Sequence, residues 1–132
     1  MIIQRQNPPA LHPTPGYHHV TIVDPGRTVY LAGQCPVDAG GAVVGGDDFL
    51  AQADQVVANT AAALAFARAG PADVVRTVVY VSSADQKVLS AVWHHLRDSA
   101  IGEAFTTAST LLGVAQLGFP GQLLELDVTA AL

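Results

Sequence analysis

Apolar residues recur along this chain with two periods, and the periods set the predicted elements. Residues 7–16 are proline-rich and read as extended chain. Residues 17–23 read as a strand, and Asp24-Pro25-Gly26-Arg27 has turn chemistry, since proline pre-sets φ and glycine allows positive φ. Residues 28–34 read as the returning strand, which predicts a hairpin. Gly40-Gly41 and Gly45-Gly46 mark loose turns. Asp47 or Asp48 can cap a helix running to about Ala69, with Leu50, Val57, Ala61 and Leu64 on one face. Gly70-Pro71 is a stop signal. Residues 74–81 are β-branched and almost wholly apolar, the pattern of a strand covered on both faces. Ser83 and Gln86 have capping-box spacing ahead of a second helix, with Val88, Leu89, Val92, Trp93 and Leu96 inward and an end near residues 99–102. Residues 107–117 and 122–130 read as two strands joined by Gly118-Phe119-Pro120-Gly121.

With residues 2–5 as a short first strand, the order is β-β-β-α-β-α-β-β. Two helices packed on one face of a mixed sheet form an α+β sandwich, here as one domain over residues 1–132. The opposite face of the sheet is the natural surface for contacts between copies.

Composition sharpens this picture. Half of the 132 residues are apolar and only 13% are charged, which suits a chain that buries surface against copies of itself. The net charge is −5, and the six basic residues are scattered. Nucleic-acid binding draws on a basic patch, as does attachment to an anionic membrane surface, so neither partner is expected. Cys35 is the single cysteine, which excludes an intrachain disulfide. No segment resembles a signal peptide or a membrane helix, and the expected compartment is the cytoplasm.

Few residues offer chemistry. Val29-Tyr30-Leu31-Ala32-Gly33-Gln34-Cys35-Pro36 is a β-prone run that ends in small residues, an amide and a proline, as where a buried strand opens onto a pocket rim. Glu125 and Asp127 share a strand face with Leu123, while Leu124, Leu126 and Val128 share the other. That alternation alone reads as a solvated face; the sharper reading makes Glu125 a general base in a cleft. Tyr17 reads as a half-buried aromatic, or as a hydroxyl that orients a ligand. His18-His19 and His94-His95 are adjacent pairs that diverge on a strand or a helix, so neither chelates by itself and no metal is expected. Cys35 is a nucleophile only with a histidine beside it, and otherwise a small buried hydrophobe. Gln52, Gln55 and Asn59 read as a helix face turned to water.

The order and spacing of several segments resemble the reactive intermediate deaminase (Rid, YjgF-like, also called endoribonuclease L-PSP) family. The matching segments are Pro15-Gly16-Tyr17, the run from Val29 to Asp38, Gly46-Asp47 with Gln52 to Asn59, Ala69-Gly70 with Ala72 to Val81, Asp85 to Trp93, Val114-Ala115-Gln116-Leu117 and Leu124-Glu125-Leu126-Asp127. The resemblance implies a chorismate-mutase-like fold, a homotrimer with small-molecule clefts between subunits, and no cofactor. It implies hydrolysis of imines and enamines of 2-amino acids, in which an arginine pairs with the substrate carboxylate and a glutamate handles water.

Carried over residue by residue, the resemblance makes Glu125 and Tyr17 the catalytic pair and places substrate contacts at Ala32, Gly33, Ser90, Trp93, Ser109 and Thr110. Ala32 stands where serine is common and Ser90 where asparagine is frequent. The family arginine falls at Ser109, with Arg27, Arg76 and Arg97 as candidates to replace its charge. A substrate without a carboxylate, or one held by backbone N–H groups, is therefore expected. Two other readings remain: a trimeric metabolite-binding or regulatory protein without turnover, and a ribonuclease, against which the acidic charge argues.

Overall fold

The computed structural model describes residues 2–132. Its main sheet has four strands in the order β3(Thr28–Tyr30), β6(Leu124–Ala131), β4(Val74–Val81), β5(Ala108–Gly113). The β4–β5 pair is parallel and the other two are antiparallel. Helices α1(Phe49–Phe66) and α2(Gln86–Arg97) cover one face. A second, two-stranded sheet pairs β1(Ile3–Gln6) with β2(Val20–Val23).

The expected hairpin between the second and third strands does not form. Turn residues 24–27 reverse the chain, but β2 pairs with β1 while β3 pairs with β6. Arg27 and Leu132 exchange two backbone hydrogen bonds of 2.9 and 2.8 Å, which commits the exit of the turn to the main sheet. Turn chemistry fixes a reversal; it does not choose the partner. Regular pairing in β3 stops at Tyr30, and the chain touches β6 again at Gln34, opposite Leu126.

The core lies between the sheet and the helices. Leu124, Leu126, Val128 and Ala130 of β6 and Val79 and Val81 of β4 meet Val56 and Leu64 of α1 and Val92 and Leu96 of α2. In β4, Arg76, Val78 and Tyr80 face away from the helices and stay partly or fully exposed, so a single chain covers this strand on one face and not on two. Tyr30 and Leu112 are exposed on the same open face.

Asp48 caps α1, accepting hydrogen bonds from the N–H groups of Leu50 and Ala51. The helix ends before the Gly70-Pro71 signal. Ala69 N–H bonds to Leu64 O and Arg68 N–H to Ala65 O, with Arg68 at φ +60°, a left-handed stop made without glycine. The cap of α2 is Asp85, which accepts from Lys87 N–H, and not the expected Ser83; the Ser83 hydroxyl accepts from Asp85 N–H instead.

The helix face expected to meet water does not. Gln52 is fully buried. Its amide nitrogen donates to Gly46 O (2.7 Å) and Gly121 O (2.9 Å), and its oxygen accepts from Leu123 N–H at 2.8 Å. Gln55 donates to the Asn59 side chain, and Asn59 donates to the carbonyls of Cys35 and Val37. These amides tie α1 to the two loops that flank β6.

Candidate functional site

Six of the eight sequence-predicted site residues gather in two separate recesses. The first opens on the face of the sheet away from the helices and holds Glu125. Alternation along β6 points Leu124 and Leu126 into the core and leaves Glu125 and Asp127 half-buried on the other side. Tyr80 lies directly opposite Glu125 across the β4–β6 pair. With Gly33, Leu31 and Gln116, these residues help line a cleft of about 710 Å³.

The Glu125 carboxylate is fixed through one oxygen. Its Oε1 accepts from the Gln122 amide at 3.1 Å and from the Cys35 thiol at 3.1 Å. Its Oε2 lies against Gly33, where a side-chain Cβ would overlap the carboxylate. Glycine is needed there for close approach. The loop carrying Gly33 and Cys35 is held by paired backbone bonds between Gln34 and Leu126 (2.7 and 3.0 Å) and by Asn59 from α1.

Cys35 is therefore not merely a small buried hydrophobe. Burial first, and then the bond and the negative charge of Glu125, push its thiol from 9.0 up to about 11. It is a neutral donor and a poor nucleophile at physiological pH. At pH 8 its thiolate fraction is about a hundredfold below that of a thiol at 9.0. Iodoacetamide is expected to label the native protein about a hundredfold more slowly than the unfolded chain at that pH. The native rate should climb about tenfold per pH unit toward pH 11; equal rates in both states would contradict the thiol–carboxylate contact.

The second recess, of about 390 Å³, lies between α2 and the start of β5 and includes Tyr17, Ser90, Trp93 and Ser109 in its lining, with Leu111 on β5. None of the lining residues is Lys, Arg, Asp or Glu. Trp93 is buried edge-to-face between Tyr17 (6.1 Å) and Phe105 (5.6 Å), which sets the aromatic wall. The Tyr17 turn is clamped from two sides. Thr14 donates to Tyr17 O, and Arg97 of α2 donates to Pro15 O at 2.8 Å. Gly16 takes φ +104° there, and a Cβ on it would run into the Arg97 guanidinium.

Two expected site residues line neither recess. Ala32 is exposed, and its carbonyl accepts from the Gln34 amide. Thr110 follows Ser109 and so points to the opposite face of β5, where it accepts from Arg76 at 3.1 Å. Of the three candidate arginines, Arg97 touches the turn behind the second recess, Arg76 sits on the open face and Arg27 is exposed at the hairpin-like turn. His95 bonds Asp54 at 2.6 Å. Among the described residues no group of three or more His, Cys, Asp or Glu could hold a metal ion. Among the described residues no helix is long and apolar enough to cross a membrane.

A mixed sheet backed by two helices, with the Glu125 carboxylate seated against Gly33 on its open face, makes this an α+β protein. The family model for endoribonuclease L-PSP matches residues 8–132. The structure of YyfB of Yersinia pestis, a protein of unknown function of the conserved Rid family, is similar over the whole of both chains, at 36% identity and a TM-score of 0.87. YyfA of Yersinia pestis, also a Rid protein of unknown function, is similar at 26% identity and a TM-score of 0.68, over 91% of this chain and 90% of that one. Rv2704 of Mycobacterium tuberculosis, a member of the YjgF/YER057c/UK114 family, is similar at 27% identity and a TM-score of 0.61, over 89% and 88%. No curated protein matches. The chain belongs to the Rid/YjgF (endoribonuclease L-PSP) family.

Proposed function

We propose that this chain is a hydrolase of the Rid type, which converts a small imine or enamine to a carbonyl compound and ammonia in clefts between the subunits of a homotrimer. The observation that carries the reading is the Glu125 carboxylate, bound by Cys35 and Gln122 through Oε1 and lying against Gly33 through Oε2 in an open cleft. A base so held has one oxygen left for water. Glu125 takes a proton from water as the oxygen adds to the C=N carbon. Glu125 returns that proton to the nitrogen to give the carbinolamine, then carries the hydroxyl proton to the nitrogen as well, so that ammonia leaves as the C=O bond forms. One water is consumed, and no electrons are transferred.

Tyr17 is the natural orienting group, since among the described residues its hydroxyl has no hydrogen-bond partner and it lines the second recess. Because the two recesses share no lining residue, the trimer would bring the Glu125 cleft of one subunit to the Tyr17 recess of the next. The exposed apolar residues Tyr30 and Leu112 on the open face fit such a contact.

In the register that matches Val114-Ala115-Gln116-Leu117 to the family pattern, Ser109 takes the place of the arginine. A buried carboxylate without a charged partner costs several kcal/mol, on the order of what a neutral hydroxyl cannot offset with about 1 kcal/mol. The substrate is therefore not the standard 2-imino acid. The test is ammonia release from freshly generated imines, with mass measured by light scattering. Turnover by a trimer is the expected result. A monomer contradicts the shared cleft, and stabilisation by a metabolite without turnover favours a binding protein.

A further inference from the structure

We infer that the recess at Ser109 recognises a neutral hydrogen-bond donor on its ligand, an amide, amine or hydroxyl beside the reacting carbon, and excludes a carboxylate at that point. The inference rests on the proposed reading of this recess as half of the substrate site.

A serine hydroxyl has one proton and two lone pairs. The proton of Ser109 goes to Thr107 O, 3.0 Å away. Thr77 Oγ1 lies 2.6 Å from Ser109 Oγ. With the serine proton already committed, Thr77 is the donor in that pair. Thr77 is fully buried, so no water competes for its proton. Ser109 is left with one lone pair and no proton: it can accept from a ligand and has nothing to donate to an anion.

Neighbouring hydroxyls are locked in the same manner. Thr107 Oγ1 donates to Val75 O at 2.8 Å and therefore accepts from Thr21 Oγ1 at 2.6 Å, while Thr21 Oγ1 accepts from Ala108 N–H at 3.0 Å. Every proton in this chain of threonines has a fixed destination at the start of β5. Turning the Ser109 proton toward a ligand would strip it from Thr107 O, whose other contact is a long bond of 3.4 Å from His18 N–H.

The surroundings agree with this polarity. Trp93 and Leu111 present apolar walls, and no lysine or arginine lines the recess, whose one basic group is the His94 imidazole. Arg97 is turned to Pro15 O, and Arg76 lies on the opposite face of the sheet with Thr110. An anion entering here would lose hydration with no lysine or arginine as its counter-charge. A primary amide matches the free lone pair of Ser109 and keeps its own carbonyl for the Tyr17 or Ser90 hydroxyl. The substrate class is thus the imine of a 2-oxo amide, or of a comparable neutral carbonyl compound with a donor at that position.

Three probes that share the pyruvoyl group separate the possibilities: pyruvate (anion), methyl pyruvate (neutral, no donor) and pyruvamide (neutral donor). None has a C=N bond, so affinity is read by calorimetry without turnover. Pyruvamide is expected to bind about tenfold more tightly than methyl pyruvate, and pyruvate most weakly. Ser109→Ala should collapse the gap between the two neutral probes, and Ser109→Arg should make pyruvate the tightest. Pyruvate as the best wild-type ligand, no binding by any probe, or a neutral-pair gap that survives Ser109→Ala overturns the inference. Absence of ammonia release with the binding order intact would instead remove the hydrolase reading and leave the recognition standing.

Discussion

Glu125→Gln is expected to lower ammonia release about 10²- to 10⁴-fold while leaving the fold intact. The reason is that the substitution separates basicity from geometry at this site. A glutamine carbonyl at position 125 can still accept from the Gln122 amide and the Cys35 thiol, the two donors that now hold Oε1 at 3.1 Å each. Its amide nitrogen would occupy the place of Oε2 beside Gly33. The position of the side chain is kept, and only its ability to take a proton from water is lost. Thermal stability should change by no more than about 1 kcal/mol, since Glu125 is half-buried and the core-facing side of β6 is untouched. An unchanged rate with an imine that the wild type hydrolyses would show that Glu125 is not the base. A lost rate with a large drop in melting temperature would point to a structural role for the carboxylate.

The parts of this architecture that the sequence announces are those with strong local periodicity. Residues 74–81 read as a strand and form one with those bounds. The alternation over β6 places Leu124, Leu126 and Val128 inside and Glu125 and Asp127 outside, as found. Membership of the Rid/YjgF family was legible in motif order, because that order survives when single motifs are weak.

What was not legible depends on contacts distant in sequence. The partner of β3 is β6, about 100 residues away, and no turn signal encodes it. Cys35 and Glu125 are 90 residues apart and meet only because Gln34 docks on Leu126. A signal for the buried amides did exist. Gln52, Val56 and Thr60 stand four apart, so Gln52 shares a helix face with a buried valine. The phase of the helix, and not the polarity of the side chain, decides that Gln52 is buried.

The second large effect concerns that same residue. Gln52→Leu is expected to destabilise the protein by about 3–5 kcal/mol, because the side chain satisfies three backbone groups and leucine satisfies none. Gly46 O, Gly121 O and Leu123 N–H belong to two loops that close over the N-terminal part of α1, and each would be left without its amide partner. One such group costs about 1–3 kcal/mol when buried, and water reaching the more exposed Gly46 and Gly121 carbonyls keeps the sum below three full penalties. Leucine also lacks room to shift, since a Cβ on Gly45 would already crowd the Gln52 side chain and backbone. The loss should reach the site, because Leu123 N–H sits between Gln122, which donates to Glu125, and the first residue of β6. Urea unfolding should therefore show a lower midpoint, and substrate turnover at temperatures where the variant is still folded should fall with it. Gln52→Glu serves as the control: it keeps an acceptor for Leu123 N–H but sets a carboxylate against two carbonyls, and should be no more stable than the leucine variant. A stability change under about 1 kcal/mol for Gln52→Leu would mean that the two loops find their hydrogen bonds elsewhere and that α1 does not organise the Glu125 loop.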